Sequence, residues 1–280
     1  MTLLGIDYAK WQLRDLNNDG KFDPLNWDLL YSNNIKFAVG KCTHGKWSAD
    51  PAAPLNWKLM EGKLARGLYH WITGDKPEDQ VDYFLKNAEK IGWTADDLPL
   101  CVDFEEPNIV LKGEALINHL RKIVELVETK TNKPCIIYSG SWYWQGYCNN
   151  LDAPDLAEKL YWHAAYPRVS VKDALDYLGA LDQILKMQPT LPVPWAKQNK
   201  KQLFWQFDGD KGLVLPGGVD ADFNVFYGSE EDLKNLCKMR LNDPATTVDF
   251  NSLPPALDLT PEESFDAESL IAKIFEYSKQ

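Results

Sequence analysis

Residues 98–107 read Leu-Pro-Leu-Cys-Val-Asp-Phe-Glu-Glu-Pro, an apolar, strand-forming run that ends in carboxylates. The run is continuous rather than alternating, the pattern of a strand covered on both faces in a parallel sheet. Positions i and i+2 of a strand share a face, so Asp103 and Glu105 project together while Phe104 points away. Two carboxyls held side by side repel, and the cheapest relief is for one to keep its proton near neutrality. A held proton beside an ionised partner is what acid-catalysed cleavage of a glycosidic bond needs. A strand end entering a solvated loop also carries acids often, so the pair acquires meaning only from what surrounds it.

Seven comparable runs surround it, at 3–7, 36–41, 66–71, 134–139, 160–166, 203–208 and 221–226, with the central strand taken as 99–105. Helical patterns separate many of them. Residues 77–91 (PEDQVDYFLKNAEKI) open with proline and acids, which suits a helix start. Residues 113–131 place Leu116, Leu120, Ile123, Val124 and Val127 at helical spacing. Eight strands in βα alternation predict an α/β fold, an irregular TIM-like (β/α) barrel of eight mainly parallel strands over residues 1–238.

Two segments depart from the alternation. An insertion at 168–202 joins a helix-like stretch (VKDALDYLGALDQIL) to a proline-rich loop with Trp195, and reads as a rim element in preference to a lid. Residues 239–280 form a C-terminal extension. From Arg240 onward it holds three basic residues against eight acidic ones and prolines at 244, 254, 255 and 261. Within it, 266–279 suits a short amphipathic helix with Leu270, Ile271, Ile274 and Phe275. Such a tail either packs back on the barrel or docks a protein partner.

A formal charge of −11 argues against binding nucleic acid or an anionic membrane through overall charge. Eleven Trp and twelve Tyr exceed what a core of this size needs and suit a cleft that stacks on flat sugar faces. Cysteines 42, 101, 135, 148 and 237 are scattered, without pairing or metal-ligand spacing, which points to folding in a reducing compartment. The first residues (MTLLGID) lack a basic segment and a long apolar stretch, and no run is long enough to span a bilayer. These features predict synthesis in the cytoplasm without a signal peptide, and no membrane insertion.

In a parallel barrel the active site lies at the carboxyl ends of the strands. Asp7 ends strand one, Lys41 strand two, Tyr69 and His70 strand three, and Asp103 and Glu105 strand four. Tyr138 and Ser139 end strand five, Tyr166 ends strand six, Trp205 and Gln206 lie on strand seven, and Asp222 and Asn224 on strand eight. Each position alone is as readily a solvated strand end as a functional group. Their coincidence on one mouth favours function.

The order and context of these groups resemble glycoside hydrolase family 25, the Chalaropsis-type lysozymes that include phage endolysins. The matching pieces are Gly5-Ile6-Asp7 with Trp11-Gln12, Phe37-Ala38-Val39-Gly40-Lys41 with Thr43 and Gly45, and Gly67-Leu68-Tyr69-His70-Trp71. Val102-Asp103-Phe104-Glu105, Ile137-Tyr138-Ser139, Tyr161-Trp162-His163-Ala164-Ala165-Tyr166, Trp205-Gln206-Phe207 and Asp222-Phe223-Asn224-Val225-Phe226 complete an ordered set over roughly residues 3–228.

The resemblance implies hydrolysis of the β-1,4 bond between N-acetylmuramic acid and N-acetylglucosamine in peptidoglycan glycan strands, without a cofactor or metal. It makes Glu105 the proton donor, Asp103 its charged partner, and Asp7 and Asp222 the remaining acids of the floor. Asp220 competes with Asp222, and the Asp-x-Asn-x-Phe pattern favours Asp222. Lys41, Tyr69, Tyr138, Tyr166 and Trp205 would bind the substrate. Whether configuration is retained or inverted, and whether the substrate's own N-acetyl group assists, stays open at this level. An enzyme of phage lysis fits, as does a virion-attached one anchored through 239–280. A non-catalytic glycan-binding or structural virion protein on the same barrel is the alternative. His44 stands where the family often has an acid, and Trp71 where Phe is usual.

Three other signals are weaker. Asp15, Asn17, Asp19 and Asp23 with Gly20 follow calcium-loop spacing, but position 12 is Asn26 and a polar turn accounts for the stretch more economically. His44, His70, His119 and His163 lack metal spacing, and Ser139 lacks the context of a hydrolase nucleophile.

Overall fold

A computed structural model describes residues 2–166, 187–209, 214–215 and 219–246. Eight strands build the barrel: β1 (Thr2–Tyr8), β2 (Ile35–His44), β3 (Ala65–Trp71), β4 (Cys101–Asp103), β5 (Ile136–Gly140), β6 (Leu160–Ala164), β7 (Phe204–Gln206) and β8 (Asp222–Tyr227). They run in the order β1-β8-β7-β6-β5-β4-β3-β2, and β2 pairs back onto β1 to close the ring. Pairings from β1 through β2 and round to β7 are parallel, whereas β8 is antiparallel to both β7 and β1. All eight strands predicted from sequence are present, with the last reversed. A two-residue strand, Ser48–Ala49, folds back on the end of β2 as a hairpin.

The helices are α1 (Trp27–Ser32), α2 (Ala52–Asn56), α3 (Pro77–Ile91), α4 (Gly113–Thr131), α5 (Ser141–Tyr147), α6 (Pro154–Ala157), α7 (Val193–Lys197) and α8 (Glu230–Lys238). The sequence signals act where predicted. Pro77 opens α3 with Glu78 and Asp79 in the first turn, and Gly92 closes it at φ 103°, a left-handed value that suits glycine. Capping of α8 is reciprocal: Ser229 Oγ accepts from Asp232 N, and Asp232 Oδ2 accepts from Ser229 N.

Period-two alternation sorts the strand residues into two apolar layers. Leu3, Phe37, Val39, Cys101, Ile136, Trp162, Phe204 and Phe226 face inward and fill the barrel. Leu4, Ile6, Ala38, Leu68, Val102, Ile137, Tyr161, Trp205 and Val225 face outward and pack under the helices. At the barrel floor Phe37 meets Phe204 at 5.2 Å and Phe204 meets Phe226 at 5.1 Å. Gly5 makes room for them, since a Cβ there would lie 2.4 Å from the Phe37 ring.

Of the 168–202 insertion, the part from residue 187 onward is described. It carries α7, whose Trp195 is fully buried, stacked on Tyr161 at 3.8 Å and edge-on to Trp144 at 5.5 Å. That half is therefore outer-wall packing. The first residues of the C-terminal extension also pack back: Leu241 N donates to Asn132 O, and Arg240 pairs with Asp96 at 2.9 Å. The expected helix at 266–279 lies outside the described residues.

Candidate active site

The inward alternation that fills the barrel floor with phenylalanine ends in polar groups at the mouth. Continuing each strand in steps of two from the apolar layer reaches Asp7 on β1, Lys41 on β2, Tyr69 and Trp71 on β3, Asp103 and Glu105 at β4, Tyr138 on β5 and Gln206 on β7. The reversed β8 reaches the same mouth with its first residue, and Asp222 sits opposite Asp7 in the β1–β8 register. The resulting cleft has a volume of about 270 Å³. All four carboxyls expected from sequence line it, together with Trp11, Gln12, Trp162 and Tyr166.

Trp205 does not join them. It alternates outward, is buried in the layer beneath the helices, and its Nε1 donates to Ala165 O at 2.7 Å. Trp162, one strand away, faces the cleft instead. Lys41, Tyr69, Tyr138 and Tyr166 lie in the lining as expected. The Lys41 ammonium sits 4.2 Å from the Trp71 ring centroid and 5.7 Å from that of Tyr69.

Two amides that the sequence placed at the mouth without a role hold Asp7. Gln206 Nε2 and Asn224 Nδ2 each donate to Asp7 Oδ2 at 2.7 Å. Their orientation follows from their other partners. The hydroxyls of Tyr138 and Tyr166 both donate to Gln206 Oε1, at 2.7 and 2.8 Å, so its amine must face Asp7. The Trp162 indole, a donor only, likewise fixes Asn224 Oδ1 at 2.8 Å. The signal in the sequence was the i, i+2 relation of Asn224 to Asp222, and of Gln206 to the inward Phe204.

Burial raises the proton affinity of Asp7 and Asp103. Asp7 is pushed up from 3.8 to about 7, because desolvation outweighs the bonds from Asn224 and Gln206. Asp103 is raised well above the carboxylate range, first by burial and then by the charge of Glu105, while Lys41 opposes both. Its Oδ1 is buried and meets no donor among the described residues. Burial therefore opposes ionisation of Asp103, the acid that the resemblance makes the charged partner of Glu105. Glu105 is the more accessible of the two.

The flanking groups are largely structural. Ser139 Oγ donates to Phe104 O at 2.8 Å. Buried His70 takes Thr43 Oγ1 on Nδ1 at 2.8 Å and Gln80 on Nε2 at 3.0 Å. In the Asp15–Asp23 loop the carboxylates accept from backbone: Asp15 from Asp19 N and Gly20 N, and Asp23 from Leu16 N. The loop caps itself, as polar turns do.

Paired carboxyls and aromatic walls at one mouth of a (β/α) barrel are the architecture of a glycoside hydrolase. The chain belongs to glycosyl hydrolases family 25, whose family model matches residues 6–213. β8, which closes the ring, lies beyond that match. "Uncharacterized protein YegX" of Escherichia coli O157:H7 is 29% identical over 244 residues, covering 83% of this chain and 72% of that one. Among solved structures, the muramidase from Acremonium alcalophilum superimposes with a TM-score of 0.64 at 23% identity, over 84% of this chain and 99% of the other. The catalytic domain of endolysin ply40, from bacteriophage P40 of Listeria monocytogenes, gives 0.59 at 18% identity, over 85% and 98%. These structural likenesses establish the fold.

Proposed function

We propose that the protein is a peptidoglycan muramidase that hydrolyses the β-1,4 bond between N-acetylmuramic acid and N-acetylglucosamine. The observation that carries this reading is the Asp103–Glu105 pair, with burial raising the proton affinity of Asp103, together with Asp7 and Asp222 in one cleft walled by aromatic rings in a family 25 chain. Glu105, as the general acid, gives its proton to the glycosidic oxygen, and the bond from that oxygen to the anomeric carbon breaks. Positive charge develops on the anomeric carbon beside Asp7 and Asp222, whose carboxylates stabilise it. Water then adds its hydroxyl to that carbon and returns its proton to the pair. Lys41 limits the negative charge of the cleft, and Tyr69, Tyr138, Tyr166 and Trp162 cradle the sugar rings. The floor is the Asp7 clamp of Gln206 and Asn224, which holds one carboxylate orientation throughout.

The chemistry belongs to the bacterial cell wall. The finer setting we propose is phage lysis or a virion-borne wall-cutting enzyme, with residues 1–238 as the hydrolase and 239–280 as an arm for a virion or other protein partner. Expression in a bacterial host tests the lysis setting, which requires that cells clear only after the membrane is permeabilised.

The reaction is tested by turbidity loss and released reducing ends on purified peptidoglycan, wild type beside Glu105→Gln. Wild type should cleave, and the folded variant should lose about a hundredfold or more in rate. A wild type inert on walls of several chemotypes would move the protein to the glycan-binding class. Equal rates on muramic-free chitin would reassign its substrate.

A further inference from the structure

The cleft does not end at Trp71. Its indole is fixed by Nε1 donating to Glu106 Oε2 at 2.8 Å, and the His44 ring stacks on it at 5.6 Å with an interplanar angle of 13°. Trp47 follows at 5.7 Å from His44, outside the cleft lining and 68% exposed. Three rings thus form a continuous row from the cleft wall to the outer surface.

An indole this exposed forfeits the benefit of burial, yet its support is rigid. Trp47 sits at the tip of the hairpin made by the end of β2 and Ser48–Ala49. Gly45 N ties that tip to Trp71 O at 3.0 Å. Gly45 has φ 56°, and a Cβ there would lie 2.9 Å from Asp75 Oδ2, so a side chain at this position would break the seat. Lys46 pairs with Asp75 and Asp79 at 3.5 and 3.4 Å, pinning the tip's other flank to the start of α3. The chain thus holds flat rings in a preorganised row whose edges carry hydrogen-bonding groups: Glu106, the His44 ring nitrogens and Lys41.

We propose that His44 and Trp47 form an additional sugar-binding subsite, which takes a unit of the glycan strand beyond those held in the cleft. The proposal rests on the reading of the cleft as a glycan site. Continuity with Trp71 identifies the occupant as the same strand. Sugar rings present one apolar face for stacking and polar edges for hydrogen bonds, which this row matches. His44, which stands where the family often has an acid, supplies the middle ring, and Trp47 supplies the outer one.

The test titrates the Glu105→Gln protein calorimetrically with peptidoglycan-derived disaccharide and hexasaccharide, with and without Trp47→Ala. The affinity ratio of hexasaccharide to disaccharide should fall about tenfold in Trp47→Ala, and Trp47→Phe should restore most of it. Trp47 is exposed, so the variant keeps the fold, which its melting temperature checks. A ratio unchanged by Trp47→Ala overturns the subsite, as does the absence of glycan binding. If wild type releases no reducing ends while the ratio still falls, the hydrolase reading fails and the subsite stands. If wild type cleaves and the ratio is flat, only the subsite falls.

Discussion

Asp7→Asn separates what the cleft needs for chemistry from what the fold would prefer. Asp7 Oδ2 accepts both clamp bonds, so an asparagine with its carbonyl oxygen at that position keeps Gln206 and Asn224 satisfied. The native carboxyl is held at about 7 against an ordinary 3.8. That shift of about 3 units, at about 1.4 kcal/mol each, amounts to about 4 kcal/mol of disfavoured charge in the folded state. The sign follows from proton counts. Between about pH 4 and 7 the native protein holds a proton on Asp7 that the unfolded chain has released, so Asp7 subtracts stability as pH rises through this window. The asparagine variant escapes this loss. Urea unfolding of both proteins from pH 4 to 8 should show the stability difference moving in the variant's favour by about 4 kcal/mol, most of it by pH 7. Peptidoglycan cleavage should meanwhile fall by about a hundredfold or more. A stability difference that stays constant across the window would refute the claim that burial, rather than the hydrogen bonds, governs this carboxyl.

Gln206→Leu removes one of the bonds that favour the Asp7 carboxylate and strands two phenols; Asp7 should titrate above about 7, moving that limb of the pH–rate profile alkaline, with about 1–3 kcal/mol lost in urea unfolding. Trp205→Phe should lower stability by about 1–2 kcal/mol through the lost bond to Ala165 O and leave the KM for glycan unchanged; a raised KM would return Trp205 to the cleft. Gly5→Ala drives a Cβ into the Phe37 ring at 2.4 Å and should cost about 2–3 kcal/mol by denaturant melt, with partial recovery on adding Phe37→Leu.

The sequence by itself determined the strands, the helices and the eight-stranded α/β barrel, because these rest on local patterns. Continuous apolar runs, the Pro-Glu-Asp opening of α3 and the spacing along α4 survive without knowledge of their neighbours. It also determined that Asp103 and Glu105 share a face, since strand geometry requires it. The phase of a strand apolar on both faces is not local. Trp205 and Gln206 must point oppositely, but only the assembled ring shows that the amide takes the cleft and the indole the outer layer. Direction is not local either: reversed β8 brings Asp222 to the mouth with its first residue, where a parallel strand would have used its last. Protonation is the furthest from sequence. A run of letters shows two acids one residue apart, and the depth of Asp103 in the folded barrel raises its proton affinity while Glu105 stays the more accessible. Desolvation is a property of the whole packed mouth, and only the tertiary structure sets it.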